Sequence, residues 1–447
     1  MLKLKPLFAY IAIIIVIIFV IASYTPSSWL VVITSIIIII LSAKGIFNSS
    51  SIKYGASQIF YIFTLFFLGI APLIQYVEGV TLWGGRPFSD ADYVKTNLLV
   101  IIALVIYKHI YTRVLKYKYE ISLLSSYSIV SNFKIKGKSV STNRLVIISI
   151  ISSIYIYLIY GGDIVTLLLR GAYVESDVAM AGGLTYLLNS FFIRPIPAVC
   201  FLLFKYYHKK NYVAEILLLL LMLLTNAPTG MPRFAVAAFY IPLAFIYAPM
   251  LKKQYNFALF MFVAVLIIFP FLNLFRLDDP EFSLATSFSM MLEGHFDSYQ
   301  MFMRVVSTNH ITYGYQLLGV ILFFVPRSIW PNKPIGSGYL IAHENGYWHD
   351  NLAMNYFGEG YINFGIIGVI IFSIVLAYVN ARVDRKYWIS PNNCSCLYVL
   401  VYLEYVGMEF AILRGALLNI FPVFVGYTLA IFIVFYLSAY KNRTKLC

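Results

Sequence analysis

Apolar stretches long enough to cross a membrane recur along this chain and leave room for little else. They fall at 6–23, 29–43, 57–76, 95–112, 145–160, 184–205, 212–225, 233–250, 255–275, 357–380, 395–412 and 417–438. A hydrocarbon core about 30 Å thick needs roughly twenty apolar residues in a helix, and a helix satisfies its own backbone groups there. The pattern predicts an all-α polytopic membrane protein with about 12 transmembrane helices, built as a single integral membrane domain over 1–447. Composition agrees, with 61% hydrophobic and 12% charged residues, against about 25% charged in soluble domains.

The net charge is +14, and the positive residues sit in short loops. With the N-terminus inside, the inward loops hold Lys44, Lys53, the basic loop 113–144, the KYYHKK run at 205–210, Lys252, Lys253, the 382–386 stretch and the KNRTK tail. That is the cytoplasmic bias of membrane proteins, and it predicts both termini in the cytoplasm. There is no basic-aromatic motif for nucleic acid. The outward loops then include 161–183 and 276–356. This assignment requires the apolar stretch 316–330 to stay on one side, as a re-entrant or interfacial hairpin. No cleavage site follows 6–23, which predicts an uncleaved first span. Cys200, Cys394, Cys396 and Cys447 show neither a disulfide framework nor zinc spacing. No internal repeat suggests an inverted-repeat transporter.

The outward segment 276–356 holds four of the six histidines (His295, His310, His343, His349) and seven of the nineteen acids. Titratable groups gathered in one extramembrane stretch mark the expected active-site segment. Arg194 lies inside an apolar stretch beside Pro195 and Pro197, which should break the helix. A charge there calls for an anion or carboxylate partner. Arg170, Arg233, Arg276, Arg327 and Arg414 fall near the outer interface, against the usual bias, and guanidinium forks suit phosphate and diphosphate oxygens. Glu359, between Gly358 and Gly360, and His295 and Asp297 in MLEGHFDSYQ could each take a proton from a hydroxyl. The Asp90-Ala-Asp92 pair has the D-x-D form of some metal-dependent glycosyltransferases, a common chance pattern. Trp83, Trp330 and Trp348 suit either sugar stacking or an interfacial belt, with the belt the more general explanation.

The topology, with GHFDSYQMF at 294–302, PRSIWPNKP at 326–334, NYFGEGYINFGIIG at 355–368 and LRGA at 413–416, resembles the O-antigen polymerases of the Wzy type. Some members carry an arginine, ten residues and a glycine in each of two periplasmic loops. Arg327 to Gly338 has that spacing, and Arg170 to Gly182 is one residue longer. Gly358-Glu359 followed by Phe364-Gly365 is the strongest local match.

The resemblance implies a membrane glycosyltransferase of the GT-C-like, inverting kind on the periplasmic face of the inner membrane. It would move a growing glycan from undecaprenyl diphosphate to the non-reducing end of the next undecaprenyl-diphosphate-linked repeat unit. It implies 161–183 and 276–356 as the functional loops, no metal or other cofactor, and inner-membrane lipids and a chain-length regulator protein as partners. On this reading Arg194, Arg276 and Arg327 bind the diphosphate, joined by Arg170, Arg233 and Arg414. The base is Glu359, His295 or Asp297. An O-antigen ligase, a flippase or other transporter of lipid-linked oligosaccharide, and a membrane scaffold are the competing classes.

Overall fold

The computed structural model describes residues 27–48, 52, 54–116, 138–168, 183–207, 210–231, 233–253, 255–268, 290–389 and 396–441. Before the polar window lie α1 (Trp29–Asn48), α2 (Ala56–Val77), α3 (Asp90–Lys116), α4 (Thr142–Ile159), α5 (Thr185–Tyr206), α6 (Tyr212–Thr225), α7 (Arg233–Tyr247) and α8 (Asn256–Ile268). Within it are the short helices α9 (Ser298–Thr308), α10 (Tyr315–Ile321) and α11 (Ser337–Glu344). After it come α12 (Tyr356–Ile389), α13 (Cys396–Arg414) and α14 (Leu417–Ser438). Among the described residues α1, α2, α3, α4, α5, α12 and α14 are long and apolar enough to cross a membrane. The expected first span at 6–23 lies outside the described residues.

The helices run alternately up and down. Near the start of α1, Ser27 meets Tyr76 at the end of α2 and Asp90 at the start of α3. At the opposite end, Ser141 before α4 donates its N–H to Ser438 at the end of α14 (2.9 Å). A two-stranded antiparallel ribbon, β1 (Lys138–Val140) with β2 (Ala439–Lys441), closes that end. There too Lys205 of α5 pairs with Glu215 of α6 (2.7 Å), Tyr247 of α7 donates to Glu215, and Tyr255 before α8 donates to Phe47 of α1. The window from 290 to 355 caps the end away from the ribbon. Its apolar stretch yields only α10, seven residues or about 10 Å long, followed by turns. That is a third of the hydrocarbon thickness.

Buried polar groups lock the bundle. Asp384, expected in a loop, is fully buried in α12. Its carboxylate accepts from Tyr111 and Tyr402 (2.8 Å each) and from the N–H groups of Ala56 and Ser57. It therefore caps the N-terminus of α2, where the helix dipole favours negative charge, and joins α2, α3, α12 and α13.

α12 is not one straight rod. Phe364 and Gly365 leave helical geometry (φ 62°, ψ −144° at Gly365). The carbonyls freed by the break accept from Thr312 (2.7 Å) and Gly314 (3.0 Å). A Cβ on Gly360 would stand 2.8 Å from the Gly368 carbonyl oxygen, a proximity that a straight helix forbids to residues eight apart. Residues 356–363 thus fold back on the long limb that starts at 366. The stretch expected as one span from 357 is a short returning helix plus a longer apolar one.

Candidate active site

Four separated segments meet at the capped end: the turn around Trp83, the GHFDSYQ segment, the α11–α12 region and the α13–α14 turn. Two buried glutamines fix the second segment. Gln75 donates to the carbonyls of Met291 (2.7 Å) and Phe296 (3.2 Å). Gln300 donates to Gln75 (3.0 Å) and Val80 (2.8 Å) and accepts from the Leu82 N–H (2.9 Å). Such paired amides leave few orphaned groups where the chain leaves regular structure.

Asp297 is then held at the centre. Its side chain is 2% exposed and pairs with Arg414 at the end of α13 (3.3 Å). Its other oxygen accepts from the Trp83 indole N–H (3.2 Å). Burial raises its carboxyl above the usual range, with Arg414 opposing. Arg414 keeps a 30% exposed side chain, with one terminal nitrogen held by the carboxylate and its Nε buried.

Glu359 lies in the returning limb of α12 and is 1% exposed. One oxygen accepts from the Ser337 hydroxyl of α11 and from the Leu417 N–H opening α14 (3.0 Å). Through the Leu417 N–H it serves the N-terminus of α14. Asn355 completes the junction by donating to the Ser298 carbonyl (2.9 Å) and accepting from the Gly358 N–H (2.7 Å). His295 is more open. Its side chain is 28% exposed, with Nε2 3.8 Å from the half-exposed Glu293 carboxylate.

The arginines divide. Arg327 is exposed and donates to the carbonyls of Lys333 (2.7 Å) and Pro334 (3.1 Å), closing the 326–334 turn. Beside it Lys333 donates to Phe323 and Val325 carbonyls. Burial, then the Arg327 charge, lowers the Lys333 ammonium, and no carboxylate pairs with either cation among the described residues. The segment leading into this turn packs on the head of α14, with Phe323 against Phe421 (5.9 Å). Arg194 instead lies in the break expected beside Pro195, after a π-helical turn at Leu188–Ile193. It is buried, and its described partners are the carbonyls of Thr225 (2.8 Å) and Gly230 (3.3 Å) and the Tyr160 hydroxyl (3.0 Å). Neutral oxygens stand where a carboxylate or anion was expected. Arg233 opens α7. Arg170 and Arg276 lie outside the described residues, as does most of loop 161–183.

The Asp90-Ala-Asp92 pair has structural partners. Asp92 accepts from the Ser89 N–H (2.9 Å) and hydroxyl (2.7 Å), and Asp90 from Tyr76 (2.9 Å) and Ser27. Asp92 thus caps the first turn of α3, and Asp90 ties that turn to the ends of α1 and α2.

Sequence reasoning passed over Arg304. It is 3% exposed, stacks on Phe88 (4.1 Å to the ring centroid), donates to the Tyr347 hydroxyl (2.7 Å) and to the Arg86 carbonyl, and ties α9 to the Trp83 turn. The legible signal was an arginine inside the short amphipathic segment SYQMFMRVVST. Lys333 was visible only as part of PRSIWPNKP.

A family model for the O-antigen polysaccharide polymerase Wzy matches residues 7–445, nearly the whole chain. No curated protein and no solved structure matches it. With that match running through every helix and through the Asp297–Arg414 junction, the chain belongs to the O-antigen polysaccharide polymerase Wzy family.

Proposed function

We propose that this membrane-integral polymerase transfers the growing glycan from undecaprenyl diphosphate to a hydroxyl at the non-reducing end of the next lipid-linked repeat unit, at the periplasmic face. The acceptor oxygen bonds to the donor's anomeric carbon. The bond from that carbon to the diphosphate breaks, and its electron pair leaves with the diphosphate. The acceptor proton passes to a base. One displacement of this kind inverts the anomeric centre and suits a GT-C-like enzyme without a metal, because guanidinium groups supply the counter-charge.

The observation that carries this reading is the Asp297–Arg414 pair, where a buried carboxylate holds the guanidinium of a partly exposed arginine at the capped end of the bundle. Arg414 and Arg327, with Lys333 beside the latter, neutralise the departing diphosphate. Removing one such donor costs about 3–4 kcal/mol at comparable sites. Arg170, Arg276 and Arg233 are further donors. Arg194, with three of its five N–H groups on internal oxygens, latches the α5 break. Among the three candidate bases, His295 is the one a sugar hydroxyl can reach. Asp297 and Glu359, 2% and 1% exposed, act as positioning residues.

The test is reconstitution of the pure protein in vesicles with undecaprenyl-diphosphate-linked repeat units. Release of undecaprenyl diphosphate with growth of a still lipid-linked glycan supports transfer between lipid-linked units. Movement of intact units across the bilayer without release identifies a transporter. Growth only on added lipid A–core identifies a ligase.

A further inference from the structure

An aromatic corner stands beside the candidate site and has no part in the transfer scheme above. Trp83 and Trp348 are 265 positions apart, yet their rings meet edge to face with centroids 4.9 Å apart. The His349 ring lies 5.0 Å from Trp83 at 33°. Trp348 is 75% exposed.

The corner is built rather than incidental. Trp83 has φ 64°, a left-handed conformation that a bulky side chain adopts only when its surroundings impose it. Gly84 and Gly85 follow with φ 86° and 83°. The Trp348 N–H donates to the Trp83 carbonyl (3.3 Å). Trp83 lies on Gly294, where any Cβ would overlap the indole, and its N–H is fixed on Asp297. The GHFDSYQ segment thus supports this indole directly under the carboxylate that holds Arg414.

We infer that the Trp83–Trp348 corner is a subsite for a sugar ring of the lipid-linked repeat unit, stacking the apolar face of a pyranose on the exposed Trp348 indole, which Trp83 holds in place. The inference rests on the transfer reading, since the occupant is that reading's glycan. The chemistry fits a carbohydrate better than a lipid tail. A pyranose has one face of C–H groups and a rim of hydroxyls, and the exposed Trp348 indole has the polar His349 ring beside it (5.9 Å). Aromatic rings supply large, rigid contact area at small conformational cost. The subsite also lies within the Asp297 hydrogen-bond set, so a ring stacked there presents its hydroxyls toward the reacting groups.

The test uses the full chain in detergent and a lipid-free probe, end-labelled oligosaccharide fragments released by mild acid from the strain's own O-polysaccharide, read by fluorescence anisotropy. Wild type is expected to bind saturably, W348A at least tenfold more weakly, and W348F within about threefold of wild type. Trp348 is exposed, so W348A keeps the fold, which elution volume and melting temperature check. Equal affinity in W348A, or no saturable binding by wild type, overturns the subsite and leaves Trp348 an interfacial residue. R414A separates the two claims. Fragment binding retained with polymer lost supports both, whereas polymer retained sinks the transfer reading without touching the subsite.

Discussion

Replacing Asp297 by asparagine keeps the shape of the side chain and removes its charge. The carboxylate accepts from the Arg414 guanidinium and the Trp83 indole on its two oxygens. An amide has one oxygen, so one of these N–H donors must face an NH₂ group. Breaking a fully buried ion pair costs about 3–5 kcal/mol. Arg414 keeps 30% of its side chain in solvent, which screens the charge left behind, and a cost of about 2–3 kcal/mol is the better figure. Falling on the step in which charge develops on the diphosphate, that is about a 30- to 160-fold loss of turnover. The assay is the initial rate of undecaprenyl diphosphate release in vesicles, run as a cycle with R414A. D297N combined with R414A should be no slower than R414A alone, because Asp297 acts through Arg414. Additive losses, or wild-type turnover in D297N, would refute the pairing as the source of activity.

The same carboxylate sets a pH dependence. Burial raises its pKa above the ordinary 3.8, so the folded chain binds this proton at higher pH than the unfolded chain. Between 3.8 and the raised value, stability falls as pH rises. Acidification through that window removes the ion pair, and wild-type turnover should drop there while D297N shows no such limb. Glu359→Gln keeps the oxygen that accepts from Ser337 and Leu417 and should retain turnover, whereas Glu359→Ala loses both bonds and should destabilise by about 2–4 kcal/mol; a dead, well-folded E359Q would make Glu359 the base. Gly365→Ala places a Cβ at φ 62° and 3.1 Å from Ile311, and should lower stability by about 1–3 kcal/mol in a thermal melt. Arg304→Ala removes the stack on Phe88 and the bond to Tyr347 and should cost about 2–4 kcal/mol, visible as a lower melting temperature, with Arg304→Lys recovering only part of it.

The membrane-embedded elements were largely legible, because a span is written in consecutive apolar residues. The expected stretches from 29–43 to 417–438 each overlap a described helix, and seven of the described helices are long and apolar enough to cross a membrane. What the sequence concealed are features fixed by tertiary contact. The fold-back at Phe364–Gly365 looks like helix continuation, since the residues on both sides are apolar and the break is stabilised by Thr312 and Gly314 from another segment. Asp384 sits in RVDRK, which has the composition of a loop, and only its four donors reveal a buried cap. At the site, Asp297 and Arg414 were each singled out, but their pairing joins positions 117 apart and no local spacing encodes that. Arg194 was legible as a buried charge beside a helix break, while its partners were not, because they are two backbone oxygens and a tyrosine hydroxyl from other segments.

The most direct test is a surface-polysaccharide gel from cells lacking only this protein, complemented with wild type or with R414A. The account predicts core carrying a single repeat unit in the deletion and in the R414A strain at normal protein level, with the full ladder restored by wild type. Bare lipid A–core in the deletion, or a full ladder with R414A, would contradict it.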